Sequence, residues 1–272
     1  MEIWNLPSGP LVLSGPLFIG ILNITPDSFS DGGRFCTPEL ALAQGRELVA
    51  AGAGMLDIGA ESTRPGSSPV SPEEEWTRLE PILRALRADL PDMPLSLDTR
   101  HVITAARGLA MGVSVLNDVT GFSEPGMLAV ARLSTCGLIA MRNRVKHGSI
   151  DMPDYGGPGE SSVKLVICEM KETLHRLQTV GIRPERILLD PGFGFGTTYQ
   201  EDSLLWNSLP GLPELLHWPA ARVCIGVSRK RFLAWRNGSP QLPPSERDPL
   251  TSAAHAEAMD CGYRVFRTHD IS

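Results

Sequence analysis

No apolar run in this chain approaches the roughly 20 residues needed to cross a bilayer, so no membrane-spanning helix is expected. The N-terminus, MEIWNLPSGPLVLSG, has an acidic second residue and no basic stretch before its apolar residues. That argues against a secretory leader and makes the cytoplasm the expected compartment. The five cysteines, Cys36, Cys136, Cys168, Cys224 and Cys261, are scattered, without C-x-x-C or finger spacing, and read as reduced core thiols. No His/Cys cluster offers a zinc site. A net charge of −6 argues against a general nucleic-acid binder, which would show a basic face. An anionic ligand is still admissible, provided positive charge is gathered locally near Gly-rich turns.

What the chain does have is apolar bulk and a repeating unit. With 272 residues, 42% hydrophobic and 21% charged, it can bury one large core, and no linker divides residues 1–272 into two domains. Short β-branched runs, each followed by a turn of polar residues and mostly by a helical pattern, cover 17–24, 55–60, 94–98, 113–118, 137–141, 186–190, 222–228 and 263–270. Most are too apolar to face water on one side, as expected of parallel strands covered on both faces. Eight such runs predict a (β/α)8 TIM barrel. Helix signals agree. Thr37-Pro38 opens a helix that Gly52 can end, and Ser71-Pro72 with Glu74 reads as a capping box ahead of Trp76, Leu79, Leu83 and Leu86. Val163, Ile167, Met170, Leu174 and Leu177 form an apolar stripe before Gly181, and Asp248-Pro249 opens a helix that stops at Gly262. Gly/Pro/Ser-rich loops follow the second, fifth and seventh runs. The given sequence stops at Ser272, so the eighth helix is expected to be missing, leaving apolar surface beside the last strand that would favour a partner subunit.

The polar residues ending the runs carry the chemistry. Asn23, Asp57, Asp98, Asn117, Asp190, Ser228 with Lys230, and Arg267 with His269 all fall where a barrel keeps its active site. Any one of them could merely cap the next helix, and Asp57 is read as structural. Recurrence at one end of the barrel favours a site. Asp98, Asn117 and Asp190 suit the edge of a guanidine-like heterocycle, because carboxylates accept paired N–H bonds and an amide can do both. The same oxygens would also suit Mg²⁺. DPGFGFG, 190–196, allows a ligand close to the backbone around Phe193 and Phe195. GVSRK, 226–230, sets a hydroxyl and two cations after the seventh run, and Arg267 and His269 share one strand face.

These segments, with GILNITPDSFSDGG (20–33), DIGAESTRPG (57–66), LDTR (97–100), NDVTG (117–121) and RTHD (267–270), resemble dihydropteroate synthases. The resemblance implies a transferase of folate biosynthesis. It would condense 6-hydroxymethyl-7,8-dihydropterin diphosphate with 4-aminobenzoate to give 7,8-dihydropteroate and diphosphate, as a homodimer using Mg²⁺. By position it implies that Asp98, Asn117, Asp190 and Lys230 hold the pterin. Asn23, Arg267 and His269 would hold the diphosphate, with Asn23 on the metal. Thr63, Arg64, Pro65, Phe195 and Ser228 would form the 4-aminobenzoate site, and Asp98, Lys230, Arg267 and His269 would be catalytic. Three places depart from the family pattern. Arg142-Asn143-Arg144 stands where His-Met-Gln is usual, Thr197 where Lys is, and Asp202 where Asn is. Two alternatives stay open on these residues: a pterin-binding paralogue with weak or lost activity, and a pterin-binding methyltransferase domain.

Overall fold

The computed structural model describes residues 2–24, 37–62, 69–142 and 160–271. Among them a hairpin, β1 (Ile3–Leu6) and β2 (Gly9–Val12), precedes a barrel of eight parallel strands. These are β3 (Leu17–Asn23), β4 (Met55–Gly59), β5 (Leu95–Asp98), β6 (Val115–Asp118), β7 (Gly137–Met141), β8 (Ile187–Asp190), β9 (Cys224–Ile225) and β10 (Val265–Thr268). The strand order is β8-β7-β6-β5-β4-β3-β10-β9, and a parallel bridge between Leu189 and Val223 brings β8 beside β9. All eight predicted runs are therefore strands, although β9 keeps only two residues of regular pairing.

Side chains alternate across a strand, so each barrel strand divides its residues between two cores. Leu22, Leu56, Ile58, Leu97, Leu116, Leu138, Leu189 and Phe266 point outward and pack with the surrounding helices. Ile19, Met55, Val115, Ile139, Leu188, Cys224 and Val265 fill the interior. The hairpin joins that inner cluster through Trp4, Leu6 and Leu13. Trp4 is fully buried and its indole Nε1 donates to the Arg186 carbonyl at 3.0 Å. Gly137 makes room for it, since a Cβ there would stand 2.6 Å from Leu6 and 3.0 Å from Trp4. The hairpin was not expected from sequence, and it closes the floor of the barrel.

Nine α-helices are described, of which α1 (Pro38–Ala50), α2 (Pro72–Asp89), α3 (Val102–Ala110), α5 (Glu160–Thr179), α6 (Tyr199–Asn207) and α9 (Asp248–Asp260) matter below; α4 (Pro125–Leu133), α7 (Leu212–Leu216) and α8 (Arg231–Arg236) complete the set. Thr37 caps α1, and Gly52 follows it at φ +107°. Ser71 caps α2 by accepting from Glu74 N at 3.2 Å, but the box is not closed, because the Glu74 carboxylate pairs with Arg78 instead. The full reciprocal box occurs at α6, between Thr198 and Glu201.

The expected bare wall at the last strand is not found among the described residues. Phe266 of β10 is fully buried, with ring centroids 5.7 Å from Phe18 of β3 and 4.9 Å from His255 of α9. The helix before β10 covers that face, which removes the sequence argument for a partner there. No helix among the described residues is long and apolar enough to cross a membrane.

Candidate active site

Two residues above the apolar interior layer, the same strand faces turn polar. Asp57 follows Met55, Asn117 follows Val115, Asp190 follows Leu188 and Arg267 follows Val265, while Asp98 follows the buried Ser96. Pairing register sets them side by side, with Asn23 opposite Gly59, Gly59 opposite Asp98, and Asp98 opposite Asn117. Gly59 leaves room there, since a Cβ would lie a tight 3.2 Å from that of Asp98.

Arg267 is the hub of this layer. Its Nε donates to Asp57 Oδ2 at 2.5 Å and its Nη2 to Asp98 Oδ2 at 2.7 Å. Asn117 Nδ2 donates to the same Asp57 oxygen at 3.0 Å. Burial works against the Arg267 charge, yet Asp57 and Asp98 hold its pKa well above the ordinary value. Burial pushes Asp98 up to about 7, against the pull of Arg267 and helped by the neighbouring Asp57. Burial also raises Asp190, which the Gly192 N–H donating to Oδ1 at 2.7 Å opposes. The second Asp190 oxygen faces Gly226, where a Cβ would stand 3.2 Å away.

Two turns complete the described site. In the turn after β8, Gly192, Gly194 and Gly196 all have φ near +70° (67, 72 and 73°), a region open to glycine. That turn carries Phe195 to within 4.3 Å of Lys230 Nζ, which lies over the ring as a cation–π contact. Arg142, fully buried, holds the turn from beneath. Its Nε donates to the Pro191 carbonyl at 2.7 Å, its Nη2 to those of Gly192 and Phe195 at 3.1 Å each, and its Nη1 to Glu169 at 3.2 Å. Asp202 holds it from the other side, accepting from Gly194 N at 3.0 Å and from Thr197 Oγ1 at 2.6 Å. After β9, Arg229 adopts φ +58° and pairs with Asp248 of α9 at 2.7 and 2.8 Å. Of the two cations expected near an anion, Arg229 is thus a brace for its turn. Ser228 Oγ lies 3.0 Å from His269 Nδ1 and accepts from His269 N at 3.1 Å.

The structure therefore gathers Asp98, Asn117, Asp190 and Arg267 into one layer, pairs Lys230 with Phe195, and pairs Ser228 with His269. Arg267 and His269 share a strand face but take different partners, one inside the layer and one at the rim. Thr63, Arg64 and Pro65 lie outside the described residues, as do 25–36 and Asn143 with Arg144. Two contributors were not anticipated. Asp57, read as structural, lies between Arg267 and Asn117, and its alternation with Met55 was the available signal. Arg142, noted only as a departure, is the clamp on the glycine turn; a lone arginine ending an apolar strand gave no such indication.

A family model described as Pterin binding enzyme matches residues 19–269. The dihydropteroate synthase of Neisseria meningitidis serogroup C is 36% identical over 275 residues, covering 99% of this chain and 93% of that protein. The Xanthomonas albilineans dihydropteroate synthase solved with 4-aminobenzoic acid is 37% identical, with a TM-score of 0.85 over 96% of this chain and 90% of that one. The same organism's enzyme in complex with 7,8-dihydropteroate is 34% identical, with a TM-score of 0.81 over 96% and 90%.

Proposed function

The chain belongs to the dihydropteroate synthase family, and from that premise we propose how its own residues carry the reaction. It is a transferase that joins 6-hydroxymethyl-7,8-dihydropterin diphosphate to 4-aminobenzoate, giving 7,8-dihydropteroate and diphosphate. The observation that carries the assignment of roles is the polar layer above an apolar floor. Asp98, Asn117 and Asp190 present oxygens to a flat ring rich in N–H donors, and Lys230 supplies a donor beside them.

In the reaction, the C–O bond to the diphosphate breaks with its electron pair leaving on oxygen. The arylamine forms the new C–N bond and gives up a proton to solvent. No covalent enzyme nucleophile is needed. Stabilising the departing charge is the main demand, and Arg267 and His269 are assigned to it. Ser228, tied to His269, and Phe195, stacked under Lys230, are assigned to the 4-aminobenzoate side with Thr63, Arg64 and Pro65. The Ser228–His269 bond then links the two substrate sites.

Magnesium takes hard oxygen donors and keeps waters and substrate phosphates around it. Asn23 is half-buried at the end of β3, with no side-chain hydrogen bond to another described residue, and the side-chain-free Gly59 lies opposite. An amide oxygen in that position fits the ion. Asn23 would hold Mg²⁺ together with diphosphate oxygens, and the ion would supply charge neutralisation to the leaving group. We propose a homodimer working in the cytoplasm, on the family resemblance.

The test is product formation. Purified protein given the pterin diphosphate, 4-aminobenzoate and Mg²⁺ should release 7,8-dihydropteroate and diphosphate in equal amounts, and chelation should stop it. Diphosphate release that does not require 4-aminobenzoate would make the protein a hydrolase instead.

A further inference from the structure

Asp57 is a carboxylate within the polar layer, fully buried, and one of its oxygens serves two neighbours at once. Oδ2 accepts from Arg267 Nε at 2.5 Å and from Asn117 Nδ2 at 3.0 Å. An amide has a donor end and an acceptor end, so its orientation decides what it shows the rest of the pocket. A carboxylate paired with a guanidinium only accepts. Turning Asn117 over would press its oxygen against Asp57 Oδ2 at that same 3.0 Å, two acceptors without a proton between them. Asn117 is therefore locked with its nitrogen inward and its oxygen toward the lumen.

The neighbouring carboxylates are constrained in the same sense. Asp98 has Oδ2 on Arg267, and Asp190 has Oδ1 on Gly192 N, leaving one oxygen of each for a ligand. The layer thus offers three acceptors, two on the neighbouring strands β5 and β6 and one on β8. We propose that Asp57 is a positioning residue that fixes the Asn117 amide, making the pocket select a ring edge bearing an amino group over one bearing a carbonyl. This rests on the reading that Asp98, Asn117 and Asp190 hold the pterin ring. Asp57 touches no substrate in this account; it acts through Asn117. The discrimination follows from chemistry: a 2-amino ring brings donors to three acceptors, whereas a 2-oxo ring brings a lone pair to one of them.

The experiment compares binding of 6-hydroxymethylpterin with that of its 2-oxo analogue, by calorimetry, in the native protein and in Asp57→Ala. Native protein should prefer the amino compound by at least ~100-fold, since buried groups left unpaired penalise the wrong ligand heavily. Asp57→Ala removes the acceptor that Arg267 and Asn117 share, while Arg267 keeps Asp98. Asn117 is then free to turn, and the preference should fall to within ~10-fold. An unchanged ratio in a folded Asp57→Ala overturns the proposal. A parallel Asp190→Asn separates this from the underlying reading. If Asp190→Asn weakens the amino compound and Asp57→Ala leaves the ratio alone, only the role of Asp57 fails; if neither changes anything, the ring assignment fails with it. Should Asp57→Ala not hold its fold, the native protein answers by NMR. The Asn117 side-chain amide protons, identified by their absence from Asn117→Ala, should show a nuclear Overhauser contact with the Arg267 Nε proton both before and after the pterin is added, and loss of that contact on binding overturns the proposal.

Discussion

Asp98 shows how a single residue is defined by partners far away in the chain. It titrates near 7 because burial dominates and Asp57 adds to it, while Arg267, contacted at 2.7 Å, pulls the other way. A ring N–H needs the ionised oxygen. Above about 7 the acceptor is present, and below it a proton occupies the position the ligand's donor should meet. Affinity for the bare pterin should therefore fall as pH drops from 8 to 6, measured by calorimetry in buffers of matched ionisation enthalpy. The slope should flatten in Asp98→Asn, and a native affinity flat across that range would contradict the assignment. The type and barrel layer of Asp98, Asn117 and Asp190 were legible in the sequence, since strands alternate with period two. Their pairing was not. Arg267 meets Asp57 and Asp98 across 210 and 169 residues of chain, and local pattern carries no information about such a contact.

At the scale of an element, the glycine turn after β8 depends most on supports that lie elsewhere in the chain. Its glycines announce a close backbone approach but not what holds the turn in place. Arg142 and Asp202 do that from opposite sides. Arg142→Met would leave Glu169, 4% exposed, without its guanidinium and three carbonyls without their donors. Breaking one partner out of a buried ion pair costs about 3–5 kcal/mol, so urea denaturation should show a loss on that order. The pterin KM should rise with it, because the turn holds Asp190 through Gly192 N; a loss under ~1 kcal/mol, the scale of surface changes, would mean the clamp is incidental. The departures Thr197 and Asp202 looked independent in sequence, yet they hydrogen-bond each other at 2.6 Å. Their five-residue separation spans a turn and a helix start, which no periodicity describes. The N-terminal hairpin escaped for a different reason: two four-residue strands give too short an alternation to stand out.

For the whole molecule, the barrel architecture was legible because eight apolar runs had to be covered on both faces, while the closing of its last wall was not. His255 marks that wall. It is buried against Phe18 and Phe266, with no hydrogen-bond partner for Nε2 among the described residues, and burial lowers its pKa to about 4. In the unfolded chain it titrates near 6.5, so the unfolded state takes up the proton first as pH falls. Stability present above 6.5 should drain away between 6.5 and 4, by about 3 kcal/mol at most. Thermal melts of His255→Phe should lose that part of the acid sensitivity; equal pH slopes in the two proteins would show that other groups govern it.

Steady-state kinetics decide whether this chain is a working synthase with its own version of the glycine turn. The measurement is kcat and both KM values, with Mg²⁺, for the native protein and for Thr197→Lys combined with Asp202→Asn. Lining changes act on binding, whereas stabilising the leaving group sets the rate, and the residues assigned to the leaving group are unaltered. The expected result is Mg²⁺-dependent turnover by the native chain, a lower KM for one substrate in the double variant, and kcat within about tenfold of native. A native protein that makes no dihydropteroate beside a double variant that does would contradict it.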